Sequence, residues 1–230
     1  MLRDNQSRAQ QAITFFLLTA LASVCLCLVD AIGLTCSDWE LVERNVASQF
    51  TLGVFWIRFF LLSVNLILLV CDYVFLIRWL RRAYYNLHQL PTIQPDYPEG
   101  WAAGAWFVPF INLARPFTIV REVWQHTQRV AFGQVIVPAT LVGWWWAAQL
   151  LGSFVATGVA RLTGSNELTG EIISQFINVV GAVLTWRLIQ RAATFEDALL
   201  QRLQLDTLGQ PQSQPIRHTD QSDYGLEEEY

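Results

Sequence analysis

Three side chains that lipid cannot satisfy, Arg58, Asn65 and Asp72, recur every seven residues within one apolar run. Seven residues are close to two helical turns, so a guanidinium, an amide and a carboxylate line one helical face. Such a row can pair charges across helices, or it can line a water-accessible cavity or an ion path. Other apolar runs carry matching stripes: Thr19, Ser23, Cys27 and Asp30; Gln149, Ser153 and Thr157; Glu171, Gln175, Asn178, Gly181 and Thr185. Each polar side must face other helices, because lipid offers it no partner. Both meanings, polar glue between helices and a working cavity, stay open at this point.

The residues of enzymatic chemistry are missing. The chain has no GxSxG elbow, no phosphate loop and no HExxH, and its histidines are His88, His126 and His218. Glu122 and His126 stand one helical turn apart, but two ligands do not make a metal site. No metal, no cofactor and no catalytic residue is therefore expected, and the expectation is a non-enzyme. Cys25, Cys27, Cys36 and Cys71 show no CxxC spacing and serve as small hydrophobes.

The elements that position these stripes are set by composition. Of 230 residues, 53% are hydrophobic and 15% charged, against about 25% charged in soluble domains. Four apolar segments reach the roughly 20 residues a bilayer-crossing helix needs: about 12–34, 52–77, 134–160 and 170–190. The first outruns the 7–15 apolar residues of a signal peptide and has no A-x-A site after it, so it reads as an uncleaved span. All fifteen basic residues are arginine, and twelve of them fall on one side of a four-span chain. Arg44 and Arg161 are left on the other side, so the positive-inside rule places both termini in the cytoplasm, with the protein in the cell (plasma) membrane. The expected fold is an all-α integral membrane protein, a bundle of four transmembrane helices over residues 1–205 with a polar seam of Asp30, Arg58, Asn65, Asp72, Glu171, Gln175 and Asn178. After Arg187 the last span is expected to continue as an amphipathic helix to about Leu205. Residues 206–230 hold six acids and one arginine and read as a disordered, acidic cytoplasmic tail. No basic face suggests nucleic acid.

Between the second and third spans, about residues 98–131, lies a run too short to cross. Gly100 to Ala114 is uncharged but only 15 residues long, and Pro109 and Arg115-Pro116 interrupt it. Asp96-x-x-Glu99 reads as a capping box, Gly100-x-x-x-Gly104 as a close-approach motif, and Pro116 as a first helical residue. The helix that follows is amphipathic, with Phe117, Val120, Trp124, Thr127 and Ala131 on one side and Arg121, Glu122, Gln125, Gln128 and Arg129 on the other. The whole is expected to be a re-entrant or interfacial helix-break-helix in the cytoplasmic headgroup layer. Trp144, Trp145 and Trp146 lie deep in the third span, where core packing is their expected role.

Depth along the helices suggests two ion pairs. Asp30 and Arg58 sit at similar depth near the outer end, and Asp72 and Arg115 near the cytoplasmic end, where Asn112 would also satisfy backbone groups freed by Pro116.

Residues 79–124 carry a dense pattern of aromatic, glycine and proline residues in two pieces. One piece of the pattern is WLRRAYYNL, with Trp79, Arg82, Ala83, Asn86 and Leu87. The other is GWAAGAWFVPFINLARPFTIVREVW, with Gly100, Trp101, Gly104, Trp106, Pro109, Asn112, Leu113, Arg115, Pro116, Glu122 and Trp124. Together these pieces resemble a bacterial membrane-protein family known as domain of unknown function 4328, and the resemblance implies a multi-pass membrane protein and carries no reaction. Two functions remain in view, with a membrane-embedded enzyme a distant third: a membrane module that binds lipid, a partner protein or further copies of itself as a homo-oligomer, and a small transporter or channel using the seam. A pathway normally needs broken helices at midplane, whereas this break sits at the cytoplasmic edge, which favours the module.

Overall fold

The computed structural model describes residues 2–37, 44–163 and 167–208, and among them every regular element is helical. The order is α1 (Gln6–Ser37), α2 (Arg44–His88), α3 (Trp101–Gly104), a 3-10 turn (Ile111–Leu113), α4 (Arg115–Phe132), α5 (Thr140–Thr163) and α6 (Glu167–Leu208). Three stretches are long and apolar enough to cross a membrane: Gln6–Gly33, Leu52–His88 and Gly170–Leu208. At 1.5 Å per residue the 45 residues of α2 span about 68 Å, more than twice a hydrocarbon core. Both helices run on without a break past the apolar spans: α2 continues to His88, beyond the expected span end at 77, and α6 to Leu208, matching the expected continuation to about Leu205.

The helix α1 packs between α2 and α6, and α5 lies on the far side of α6. Across one end runs α4, packed on α6, α2 and α5. The expected third segment starts late, because residues 134–139 form a turn around Pro138 and α5 begins at Thr140. Trp145 and Trp146 are buried as expected, but Trp144 is 71% exposed, since three consecutive residues cannot share one face. Of the acidic tail, residues 206–208 are helical and the rest lies outside the described residues.

Burial corrects the amphipathic reading of α4. Its inner side holds Ile119, Val123, Trp124 and Ala131, and also Glu122 and Gln128, which the sequence put on the polar face. That side packs on protein, where the Trp124 and Phe195 rings meet edge to face at 5.0 Å. The Gln128 amide explains its own burial by clasping the turn after α4. Its Nε2 donates to the Val137 and Trp124 carbonyls, and its Oε1 accepts from Val137 N at 2.8 Å. Gly133, at φ 79°, closes α4 in the left-handed conformation glycine tolerates.

Candidate functional site

Two regions gather the polar and aromatic side chains. The first is the seam along α1, α2 and α6. At one end Arg58 Nε donates to Asp30 Oδ1 at 2.8 Å, the pair expected from depth, and its Nη2 bonds Glu171. One turn pair further along, Ser23 Oγ donates to Asn65 Oδ1 at 3.1 Å. Next on the same faces, Thr19 meets Asp72. The three couples repeat the seven-residue step of α2, about 10 Å apart.

The rest of the predicted seam is uneven. Gln175 is half-buried and its Oε1 has no partner, while Asn178 is exposed and takes no part. Thr185 is fully buried and accepts from Trp145 Nε1 at 3.0 Å, tying α5 to α6. Ser153 and Thr157 lie outside the described side chains.

The second region is the broken element. The four-residue α3 begins after Gly100, with no side-chain cap, so the Asp96–Glu99 capping box is absent. A Cβ at Gly100 or Gly104 would meet open space, so neither glycine serves a close helix approach. After α3 the chain bends at Phe110, whose φ of 63° is the only positive value at a non-glycine among the described residues. This bend turns Phe107 and Phe110 outward, 76% and 86% exposed, with Pro109 and Leu113 beside them. Pro116 then sits in the first turn of α4, where a missing N–H costs nothing.

Behind the bend a crevice of about 510 Å³ opens between α2 and α5. Val70, Val74 and Ile77 form one wall, Trp146 and Leu150 the other, and Trp106, Phe107 and Leu113 the roof. Trp106 stands edge to face with both Tyr73 and Trp146, and Trp146 Nε1 holds the roof by donating to Leu113 O at 3.1 Å. Asn112 and Gln149 are its amide corner. Asn112 therefore lines a crevice, and the backbone around Pro116 makes its own turn, Thr118 N to Ala114 O.

Arg115 corrects the second expected ion pair. Its guanidinium lies over Trp101, 3.9 Å from the ring centroid, and over Tyr97 at 4.9 Å. No ion pair joins it to Asp72 among the described residues, and its Nη1 is buried without a partner. Nearness in depth does not make the pair, because the Arg115 side chain turns onto the rings of Trp101 and Tyr97.

The remaining motif residues hold this end together. Tyr84 Oη donates to Glu122 Oε2 at 2.8 Å and accepts from Tyr97 N. Burial pushes the Glu122 carboxyl up, Asp96 adds to that, and the Tyr84 bond opposes it. Burial and Arg129 lower His126, with Asp96 opposing. Trp124 Nε1 donates to Val137 O, and Trp79 is buried. Asn86 pairs with both backbone groups of Arg3, at 2.9 and 2.8 Å, while Arg82 stays half-buried near Arg8. Sequence reasoning missed Tyr84 as the partner of Glu122, and Glu196, which binds Asn5 Nδ2 at 3.1 Å. An acid in the middle of an apolar helix stripe was the available signal for Glu196.

The family model described as a domain of unknown function (DUF4328) matches residues 45–194, and the chain belongs to that family. No curated protein and no solved structure matches the chain. The match takes in α2 through most of α6 and leaves out α1, so the crevice lies inside the family region and half of the seam lies outside it.

Proposed function

We propose that this member of the DUF4328 family is a non-enzymatic plasma-membrane module that holds a lipid acyl chain in the crevice beside the broken element. In this reading α5 is the fourth span, both termini are cytoplasmic, and the bend at Phe110 dips into the cytoplasmic leaflet. The crevice carries the reading. Its volume falls within the 300–1,000 Å³ usual for small-molecule sites, and its wall is mostly apolar with two amides. It is continuous with the exposed apolar face of α2 at Leu66, Ile67, Val70 and Val74, a face suited to lipid tails. An acyl chain can enter sideways from that surface without leaving an apolar medium. The outward Phe107 and Phe110 add side chains that gain by burial in lipid.

The test uses vesicles containing a phospholipid with a photoreactive acyl chain. Cross-links are expected on residues 105–114 and on α2 near Val74. Val74→Trp, which fills the crevice, is expected to remove most of them while labelling of the α1 surface persists. Unchanged cross-linking in the filled variant overturns the reading. For topology, single cysteines at Ser48 and Ser165 in a cysteine-free chain are expected to react from outside, and one at Gln89 from the cytoplasm. A second reading, a small transporter or channel, has one observation in its favour: buried carboxylates in the seam outnumber the arginine that meets them.

A further inference from the structure

We propose that Asp72 is a proton-binding site: it stands in the seam as a neutral carboxylic acid and exchanges that proton with water. The inference is independent of the lipid reading, because it rests on the other side of α2.

Charge counting comes first. At one end of the seam Asp30 and Glu171 share Arg58, so +1 − 1 − 1 leaves −1 there. With Arg58 engaged, no described cation pairs with Asp72. Asp72 is 3% exposed in a helix long and apolar enough to cross a membrane. Thr19 of α1 is the polar side chain that meets it, and Tyr73, its neighbour in sequence, is the titratable group beside it. A bare carboxylate so placed is buried from bulk solvent and meets no described counter-ion, the combination membrane interiors reject most strongly.

Hydrogen-bond chemistry points the same way. Asp72 Oδ1 and Thr19 Oγ1 are both buried and both without a hydrogen-bond partner. The Thr19 O–H can donate to a carboxylate, but it is one neutral donor for a buried charge with about four lone-pair sites. Protonation, COO⁻ plus H⁺ giving COOH with the proton taken from water, removes the charge and lets the acid donate to the Thr19 oxygen in turn. A hard metal cation would do neither well: such ions gather about six oxygens, and here one carboxylate and one hydroxyl are at hand. Along the seam, the Ser23–Asn65 couple extends the polar track toward Asp30.

The experiment is infrared difference spectroscopy on the full chain in detergent, reading the carboxylic-acid C=O band. Wild type at neutral pH is expected to show a band that shifts in D₂O, survives in Asp30→Asn and is lost in Asp72→Asn. Thr19→Val is expected to keep the band and move its frequency, since the acid remains while the hydroxyl that faces it is gone. A band that is absent in wild type, or unchanged in Asp72→Asn, overturns the proposal. So does a band erased by sodium together with a sodium-dependent gain in thermal stability, which would make this a metal-cation site. Should Asp72→Asn fail to fold, Thr19→Val decides, and an unmoved band refutes the assignment.

Discussion

Replacing Arg58 with glutamine removes the one described cation that meets Asp30 and Glu171. Asp30 is 1% exposed, and its second oxygen already lacks a partner, so the substitution strands a buried carboxylate. Breaking one side of a buried pair costs about 3–5 kcal/mol. Protonation caps the loss: neutralising an aspartate of ordinary pKa at pH 7 costs about 4 kcal/mol. Glu171 is more than one third exposed and adds at most about 1 kcal/mol. For a chain of this size, about 4 kcal/mol corresponds to a fall of roughly 8–16 °C in melting temperature. Asp30→Asn alone is expected to cost far less, because Arg58 keeps Glu171. Arg58→Gln with Asp30→Asn is then expected to recover most of the loss, which thermal melts of the purified chain in detergent will read. Equal losses for the two single variants, or strict additivity in the double, would refute the reasoning.

Three more outcomes follow from local geometry. Gln128→Ala leaves both polar groups of Val137 without their side-chain partner and is expected to cost about 2–4 kcal/mol, with limited proteolysis appearing at residues 133–139. A Cβ on Gly152 would lie 2.8 Å from Ile177 Cγ2, so Gly152→Val is expected to cost about 1–3 kcal/mol in melts by pushing α5 off α6. Glu122 is raised in the folded chain by burial, so its contribution is full below the ordinary glutamate range and lost as pH rises through the raised value. Glu122→Gln is expected to flatten that decline in a pH series of melts, whereas replacing His126, which is lowered, changes the opposite slope.

The parts of the fold that sequence could show are those that follow from one-dimensional patterns. Apolar length located α1, α2 and α6, and the seven-residue step of Arg58, Asn65 and Asp72 placed them on one face, each now seen beside a group from α1. The continuation of α6 to near Leu205 was legible, but that of α2 past residue 77 was not, because there the helix leaves the apolar zone without breaking. Nothing between Arg78 and His88 disfavours helix, so composition changes there and structure does not. Gln128 and Glu122 were misassigned because polarity was equated with exposure, while each has a specific partner, the turn at Val137 and the hydroxyl of Tyr84. The crevice was invisible in principle. It depends on α2 and α5 being held apart by the packing of Trp106 against Trp146, a contact forty residues long in sequence.

Arg115 shows how much direction matters beside depth, and it yields the last prediction. The sequence puts Asp72 and Arg115 at a similar depth, yet Asp72 faces Thr19 of α1 while Arg115 turns back onto the rings of Trp101 and Tyr97. A planar guanidinium can lie flat on an indole; an ammonium cannot spread over the ring in the same way. Arg115→Lys is therefore expected to lose part of a cation–π interaction worth about 1–2 kcal/mol when partly desolvated, a fall of roughly 2–8 °C. Trp101→Leu is expected to bring a similar loss, and the double variant little more than either alone, since both remove one contact. Asp72→Asn must leave the Arg115→Lys effect unchanged, because the two side chains do not meet. If Asp72→Asn instead suppresses it, the guanidinium reaches the carboxylate within the membrane, and the stacking account of this element is wrong.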